Sequence, residues 1–123
     1  MDQKKLANRL KHFTLRVLNL VRELPKTEEN KVYGKQVIRS SSSVGANYAE
    51  ASCAHTKLDF LHDINKCRKE SKETIYWLDL IYEANPLFQA RMKNLIDEGE
   101  QLFKIFMSSV KTAKENQKIL DNK

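Results

Sequence analysis

Residues that build long loops or covalent frameworks are scarce in this chain. Its 123 residues include three glycines, two prolines and two cysteines. So few glycines and prolines leave little room for long loops between regular elements. Cys53 and Cys67 form a single pair, which is too sparse for the disulfide framework of a small secreted protein. We therefore interpret both cysteines as reduced thiols that act as small core residues.

Signals for export and membrane insertion are also missing. No apolar run approaches the roughly 20 residues needed to cross a bilayer, and residues 1–5 contain no apolar signal-peptide core. Hydrophobic residues make up 41% of the chain and charged residues 31%, which is ordinary for one globular domain of this length. We expect a cytoplasmic protein without a membrane partner.

Sequence motifs for catalysis and metal binding are absent. Cys53, His55, His62 and Cys67 are ligand types that zinc prefers, but they show neither CxxC nor HxxxH spacing. The chain also lacks a glycine-rich phosphate loop, a nucleophile elbow and an HExxH pattern. We predict no metal, no cofactor and no enzymatic activity.

The acidic residues Glu50, Glu70 and Glu73 allow two interpretations. Paired carboxylates can carry out acid and base catalysis. They can equally hold Arg39 or a lysine across a helix or subunit boundary. The structural role is the interpretation that we favour.

Apolar periodicity and capping residues predict four helices in one domain that spans residues 1–123. The expected helices cover residues 3–24, 28–52, 57–84 and 86–117. Their N-caps are Asp2, Thr27, Thr56, and Asn85 with Pro86 at the first helical position. The tail after Gln117 is expected to fray. Because the connections are short, neighbouring helices should be antiparallel, and we predict an all-α, up-down-up-down four-helix bundle.

Each helix carries an apolar stripe that predicts the core. In the first helix the stripe contains Leu6, Leu10, Phe13, Val17, Leu20, Val21 and Leu24. In the second helix the stripe contains Val37, Ser41, Val44, Tyr48 and Ala51. In the third it contains Phe60, Ile64, Cys67, Ser71, Ile75, Leu78 and Tyr82. In the fourth it contains Phe88, Met92, Leu95, Phe103, Phe106 and Val110.

The second helix keeps helical periodicity over residues 37–51 but carries small residues there. Ser41, Gly45 and Ala49 lie one above another on one face, and Gly99 interrupts the fourth helix. A glycine inside a helix costs roughly 1 kcal/mol relative to alanine. The close approach of a neighbouring helix offsets such a cost, so we predict close helix packing at these four positions.

Two sequence motifs are distinctive: RSSSSVGANYAEA at residues 39–51 and KESKETIYWL at residues 69–78, with Asp59 and Phe60 between them. They resemble the bacterial four-helix-bundle family named after proteins encoded in intervening sequences of large-subunit ribosomal RNA genes. The resemblance spans about residues 5–115. It implies a small up-and-down bundle that assembles into a ring, commonly a pentamer, with no catalytic activity assigned. A branch with a similar fold, the accessory proteins of diversity-generating retroelements, binds nucleic acid through a basic surface.

Apolar residues outside the core stripes predict contacts between subunits. Trp77, Leu80 and Ile81 point away from the stripe of the third helix, and Leu15 and Leu18 leave that of the first. A helix that is apolar on two sides needs two partners, so we predict a homo-oligomer interface with Trp77 as its anchor. The alternative is that these residues lie at the edge of the bundle under neighbouring side chains.

Positive charge is concentrated in the first helix. The chain has a formal net charge of +6, and residues 1–24 hold six Lys or Arg against two acids. The six cations lie opposite the apolar stripe and are Lys4, Lys5, Arg9, Lys11, Arg16 and Arg22. Such a strip attracts the phosphates of RNA or DNA without reading bases, and a ring repeats it around its perimeter. The alternative is that the strip is only the polar outer face of an amphipathic helix.

Two functions are consistent with this sequence. The first is a homo-oligomer that binds nucleic acid non-specifically through the basic strip. The second is a protein-docking or assembly scaffold without nucleic-acid binding, whose partner is another gene product of the same mobile element.

Overall fold

The computed structural model describes residues 2–123, and all regular structure within them is helical. The four α-helices are Gln3–Glu23 (α1), Glu28–Ser52 (α2), Lys57–Ala84 (α3) and Gln89–Asp121 (α4). A short 3-10 helix, Pro86–Phe88, precedes α4. Each helix packs against the next along the chain, and α1 also contacts α4. The four helices therefore enclose a shared hydrophobic core as a helical bundle.

Side-chain caps fix the starts of the first three helices as the sequence predicts. The side-chain oxygens of Asp2, Thr27 and Thr56 each accept a hydrogen bond from the backbone N–H three residues further on, at 2.8, 3.2 and 3.0 Å. These bonds satisfy N–H groups that have no partner inside the helix. The local sequence alone therefore determines where α1, α2 and α3 begin.

The two ends of α4 differ from the prediction. Pro86 opens the 3-10 helix rather than α4, and the side chain of Asn85 forms no cap. Its amide is instead hydrogen-bonded to the buried amide of Asn30, at 2.8 Å. At the other end α4 continues to Asp121 instead of fraying. Gln117 donates a hydrogen bond to the Asp121 carboxylate at 3.1 Å, one turn later.

The predicted stripes face the core, and two residues outside them join it. Ile81 is 0% exposed and Leu102 is 2% exposed. The prediction that Ile81 lies at a subunit interface is therefore wrong. Because α3 packs against both α2 and α4, its buried face is wider than one stripe, and Ile81 is covered within the subunit.

The two cysteines occupy different environments. Cys67 is fully buried, and its thiol lies 3.5 Å from the backbone oxygen of Val44. Cys53 is exposed and follows the last turn of α2. The interpretation of Cys53 as a core residue is therefore wrong, because α2 ends before this position reaches the core.

Small residues bring helices together at some of the predicted positions only. Ser41 is buried, and its backbone oxygen accepts a hydrogen bond from the Thr14 hydroxyl of α1 at 3.1 Å. A Cβ atom added to Gly99 would lie 3.2 Å from the Phe13 ring, so close packing is confirmed there. A Cβ atom added to Gly45 would meet no atom within 4 Å, and Ala49 is exposed.

The prediction of close packing at Gly45 and Ala49 is thus wrong. The tight contact between α1 and α2 lies at Gly34 instead, where an added Cβ atom would come within 2.7 Å of Val21 Cγ1. Beside Gly45 the two helices leave an open groove. The sequence alone does not show whether a helical glycine permits a close helix contact, as Gly34 does, or lies beside an open groove, as Gly45 does.

The two glycines of α2 should respond differently to alanine. Gly45→Ala is expected to raise the free energy of unfolding of the single subunit by about 1 kcal/mol, because alanine has the higher helix propensity and the new methyl group meets no atom of its own subunit. Gly34→Ala should give no such gain, because Val21 must move. Urea denaturation of both variants at one protein concentration checks this. Equal stabilisation of the two variants would contradict the close contact at Gly34.

Candidate functional site

Five of the six predicted phosphate-binding residues lie exposed on α1 and have no ion-pair partner among residues 2–123. These five residues, called the basic face below, are Lys4, Lys5, Lys11, Arg16 and Arg22. Between its first and last members the helix rises by about 27 Å, at 1.5 Å per residue. The basic face is therefore long enough to meet several phosphates of a nucleic-acid backbone.

Arg9, the sixth cation, has a different role. Its Nε and Nη2 atoms donate hydrogen bonds to the two carboxylate oxygens of Glu98, both at 2.8 Å, and Nη2 also donates to Gln101 Oε1 at 2.9 Å. The hydrogen bonds that Arg9 donates to Glu98 raise the pKa of Arg9, so its charge is permanent. The guanidinium is used to join α1 to α4. The prediction that Arg9 binds phosphate is not supported by this arrangement.

Arg9 and Arg16 therefore provide a matched pair for a stability test. Arg9→Ala is expected to lower the free energy of unfolding by about 1–2 kcal/mol, because it leaves the partly buried Glu98 without its bidentate partner. Arg16→Ala should leave stability unchanged, since Arg16 is exposed and unpaired among the described residues. Chemical denaturation of both variants measures the difference. Equal stabilities would show that the Arg9 pair contributes nothing.

An aromatic cluster lies on the side of the bundle formed by α2 and α3. It consists of Tyr33, Tyr76 and Trp77. The rings of Tyr76 and Trp77 meet edge to face with centroids 5.2 Å apart, and those of Tyr33 and Trp77 lie 6.2 Å apart. Tyr76 is 57% exposed, whereas Trp77 is partly buried. The cluster thus presents one protruding ring on a supported base.

Charged residues hold this aromatic cluster in place. Trp77 Nε1 donates a hydrogen bond to Glu73 at 2.9 Å, and Glu73 forms an ion pair with Arg39. Arg39 also pairs with Glu70 at 3.3 Å. The predicted structural role is confirmed for Glu70 and Glu73. Glu50 is exposed and forms no ion pair within the part of the chain that the structure describes.

The open groove between α1 and α2 has a volume of about 390 Å³. Its walls are small or apolar and include Ala7, Leu10, Leu15, Gly45, Ala46 and Ala49, with Lys11 among the lining residues. Tyr48 also lines it and is buried beneath, and this burial raises the pKa of the Tyr48 phenol. We call this feature the α1/α2 groove. It is an apolar depression directly beside the basic face.

The remaining predicted interface residues fall on two separate surfaces. Leu15 is 51% exposed beside the α1/α2 groove, and Leu18 is partly buried on the same helix. Trp77 and Leu80 are partly buried on α3. The sequence did not single out Tyr76, which is the most exposed aromatic ring of the aromatic cluster. Its only sequence signal was its position beside Trp77.

Among residues 2–123, no group of three or more His, Cys, Asp or Glu side chains comes together as a metal site. The two thiols differ in burial instead. Burial raises the pKa of Cys67 to about 12, so this thiol stays protonated and shielded at neutral pH. Cys53 is exposed.

A thiol reagent should therefore distinguish the two cysteines. At pH 8 we expect one rapid modification per chain in the native protein, at Cys53, and a second only after unfolding, because the thiolate is the reactive form. Cys53→Ser should abolish the rapid reaction and Cys67→Ser should retain it. Two rapid reactions in the native protein would contradict the buried position of Cys67.

Comparisons with known proteins agree with this architecture. The family model described as 23S rRNA-intervening sequence protein matches residues 3–108. The crystal structure of a protein with unknown function from the S23 ribosomal protein family of Bacteroides thetaiotaomicron is similar to this chain, with a TM-score of 0.80. The two sequences are 29% identical over 90% of this chain and 99% of that one.

No curated protein sequence is significantly similar to this chain. None of the helices within residues 2–123 combines the length and hydropathy that a membrane span requires. The distinctive motifs at residues 39–51 and 69–78 both lie inside the segment that the family model matches. The chain belongs to the 23S rRNA-intervening sequence protein family.

Proposed function

We propose that this protein is a non-catalytic homo-oligomer that binds nucleic acid non-specifically through the basic face. Each subunit is an up-down-up-down bundle, and the subunits close into a ring, with five as the expected number. The observation that carries the proposal is that five cations of one helix are exposed and have no ion-pair partner among residues 2–123. Cations in this state are free to neutralise phosphates.

The composition of the basic face favours contact with the nucleic-acid backbone. Residues 1–24 carry six Lys or Arg against two acids, whereas residues 56–85 carry five against six. Positive charge is therefore concentrated on one side of the bundle. No aromatic residue belongs to the basic face, so we do not expect this face to stack on bases as single-strand binders do. Long cationic side chains contact phosphates without reading sequence.

Assembly into a ring would raise the affinity for nucleic acid above that of one subunit. A single basic face offers few phosphate contacts, but a ring repeats it at fixed spacing, and linked contacts raise the overall affinity. The exposed apolar residues Leu15 and Tyr76, at 51% and 57% exposure, support an additional contact surface. They are two of the eight large hydrophobic residues that are exposed among residues 2–123.

Reversal of two charges tests nucleic-acid binding. In Lys5→Glu/Arg16→Glu we expect affinity for a fluorescent DNA duplex to fall at least tenfold at low salt. The slope of log affinity against log salt concentration should also become shallower, by the equivalent of about two phosphate contacts. Fluorescence anisotropy across a salt series measures both quantities. The same duplex made as RNA should bind similarly, because phosphates are the common feature.

The control for this test places the same charge change on another helix. Lys104→Glu/Lys111→Glu alters two exposed lysines of α4 and should weaken binding much less. If both double variants lose affinity equally, only net charge matters and the basic face is not the site. If neither variant loses affinity, nucleic-acid binding through α1 is wrong.

A second candidate function, docking of a basic protein partner, is favoured by an acidic groove between α3 and α4. Asp79, Glu83, Asp97 and Glu100 line this groove, whose volume is about 540 Å³. Such a surface repels phosphates and suits a cationic protein, for example another product of the same mobile element. Affinity capture from a nuclease-treated lysate separates the two functions, because only a protein-mediated partner survives the treatment. Recovery that depends on Asp79 and Glu83 would support docking.

A further inference from the structure

We propose that adjacent subunits join by inserting the aromatic cluster of one copy into the α1/α2 groove of the next. This inference rests on the homo-oligomeric assembly proposed above and identifies the two surfaces that meet. The occupant of the groove is thus a second copy of this chain, and the inserted side chain is Tyr76.

The α1/α2 groove has no occupant within its own subunit. Gly34 and Gly99 have neighbours that an added Cβ atom would approach to 2.7 and 3.2 Å, whereas Gly45 has none within 4 Å. A glycine in a helix interior costs about 1 kcal/mol relative to alanine. No contact within the subunit offsets that cost at Gly45. A side chain from another molecule seated over Gly45 would do so.

The groove and the aromatic cluster also match in size. The groove volume of about 390 Å³ is at the lower end of the roughly 300–1,000 Å³ typical of binding pockets, which suits one or two side chains. Tyr76 is 57% exposed and rests on Trp77. Trp77 is itself hydrogen-bonded to Glu73, so the protruding ring rests on a side chain that its own subunit holds in place. An ordered aromatic side chain in a pocket is the usual anchor of an interface.

The charges beside the two surfaces are complementary. Asp79 and Glu83 are exposed on α3, three and seven positions after Tyr76, and form no ion pair among residues 2–123. Lys11 is exposed and lines the α1/α2 groove. Docking Tyr76 into the groove brings this acidic stretch of α3 towards Lys11, the member of the basic face that lines the groove. Opposite charges that meet at an interface fix its register and speed association.

The two surfaces cannot satisfy each other within one subunit. The aromatic cluster lies on the α2 and α3 side, and the groove lies between α1 and α2, so they occupy adjoining sides of the bundle. A contact between two different surfaces is heterologous, and it generates a ring when the rotation between copies closes. This arrangement also explains why the predicted interface residues fall in two sets, Leu15 with Leu18 and Trp77 with Leu80.

Two complementary variants test the inference. Gly45→Trp fills the groove but leaves the aromatic cluster intact, and Tyr76→Arg removes the inserted ring and faces Lys11 with a like charge. Each variant alone should be monomeric, because each retains one competent surface only. An equimolar mixture should form a heterodimer of twice the 14.3 kDa subunit mass and nothing larger. Native mass spectrometry and light scattering on nucleic-acid-free protein measure these masses.

Control variants carry comparable changes on α4. Ser108→Trp and Met107→Arg alter exposed residues and should leave the mass of the wild-type oligomer unchanged. All four variants should remain helical, which circular dichroism checks.

The outcomes separate this inference from the proposed function. A monomeric wild-type protein overturns the assembly proposal and the inference together. A wild-type oligomer that survives either Gly45→Trp or Tyr76→Arg overturns the inference alone. Two monomeric variants that do not pair on mixing overturn the heterologous contact. Monomeric variants that form only a heterodimer support it.

Discussion

Phe106→Ala is expected to lower the free energy of unfolding by about 4 kcal/mol. Phe106 is 0% exposed, and its ring meets that of Tyr48 edge to face with centroids 6.0 Å apart. The variant loses the buried surface of the ring and its aromatic contact with Tyr48. It also leaves a cavity, because rigid helices cannot collapse into the space. Urea denaturation of the wild-type protein and the variant measures the loss, with one common m-value, the dependence of the unfolding free energy on urea concentration, fitted to both.

This change should also affect the α1/α2 groove. Tyr48 lines that groove and is supported from below by Phe106. Removing the ring is therefore expected to loosen the groove floor and to weaken any assembly that uses it. Leu87→Ala is the control, because Leu87 is 94% exposed and its removal should not change stability measurably. A Phe106→Ala variant as stable as Leu87→Ala would contradict the central position of Phe106.

The helices themselves could be predicted because their signals are local. Asp2, Thr27 and Thr56 cap residues three positions away, and the spacing of apolar residues determines which face is buried. Such signals need no knowledge of neighbouring helices. The predicted bounds of α1, α2 and α3 accordingly lie within one residue of those observed.

The errors arise where the partner lies far along the chain. Arg9 is interpreted from sequence as a free cation, but its partner Glu98 is 89 residues away. Ile81 is interpreted as a surface residue because its burial depends on α2 as well as α4. Gly45 and Gly34 both lie inside α2, and the position of α1 decides which of them is crowded. Helix crossing geometry is not encoded in the periodicity of one helix.

The candidate site was predicted in part for the same reason. Exposure of Lys4, Lys11 and Arg22 follows from their positions opposite the apolar stripe of α1, so the basic face could be identified from sequence. The α1/α2 groove and the protrusion of Tyr76 depend on how two helices pack, and no motif signals them. The pairing of the Glu70 and Glu73 carboxylates with Arg39 could be predicted from sequence. The hydrogen bond from Trp77 to Glu73 could not.

Asn85→Ala is expected to lower the free energy of unfolding by about 3 kcal/mol. Asn85 and Asn30 exchange two amide hydrogen bonds of 2.8 Å in a buried position, and Asn85 also donates to the Ile81 backbone oxygen at 2.9 Å. Truncation leaves two buried oxygens without this donor, those of Asn30 and Ile81. An orphaned buried acceptor costs about 1–3 kcal/mol, and the amide pair joins the start of α2 to the end of α3.

A double-mutant cycle separates the amide pair from the loss of side-chain volume. Asn30→Ala/Asn85→Ala should cost less than the sum of the two single variants, with a coupling of at least about 1 kcal/mol, because the second truncation removes a group that is already unsatisfied. Asn94→Ala, at an exposed position of α4, should not change stability. Strict additivity of the two buried truncations would show that the amides do not act as a pair.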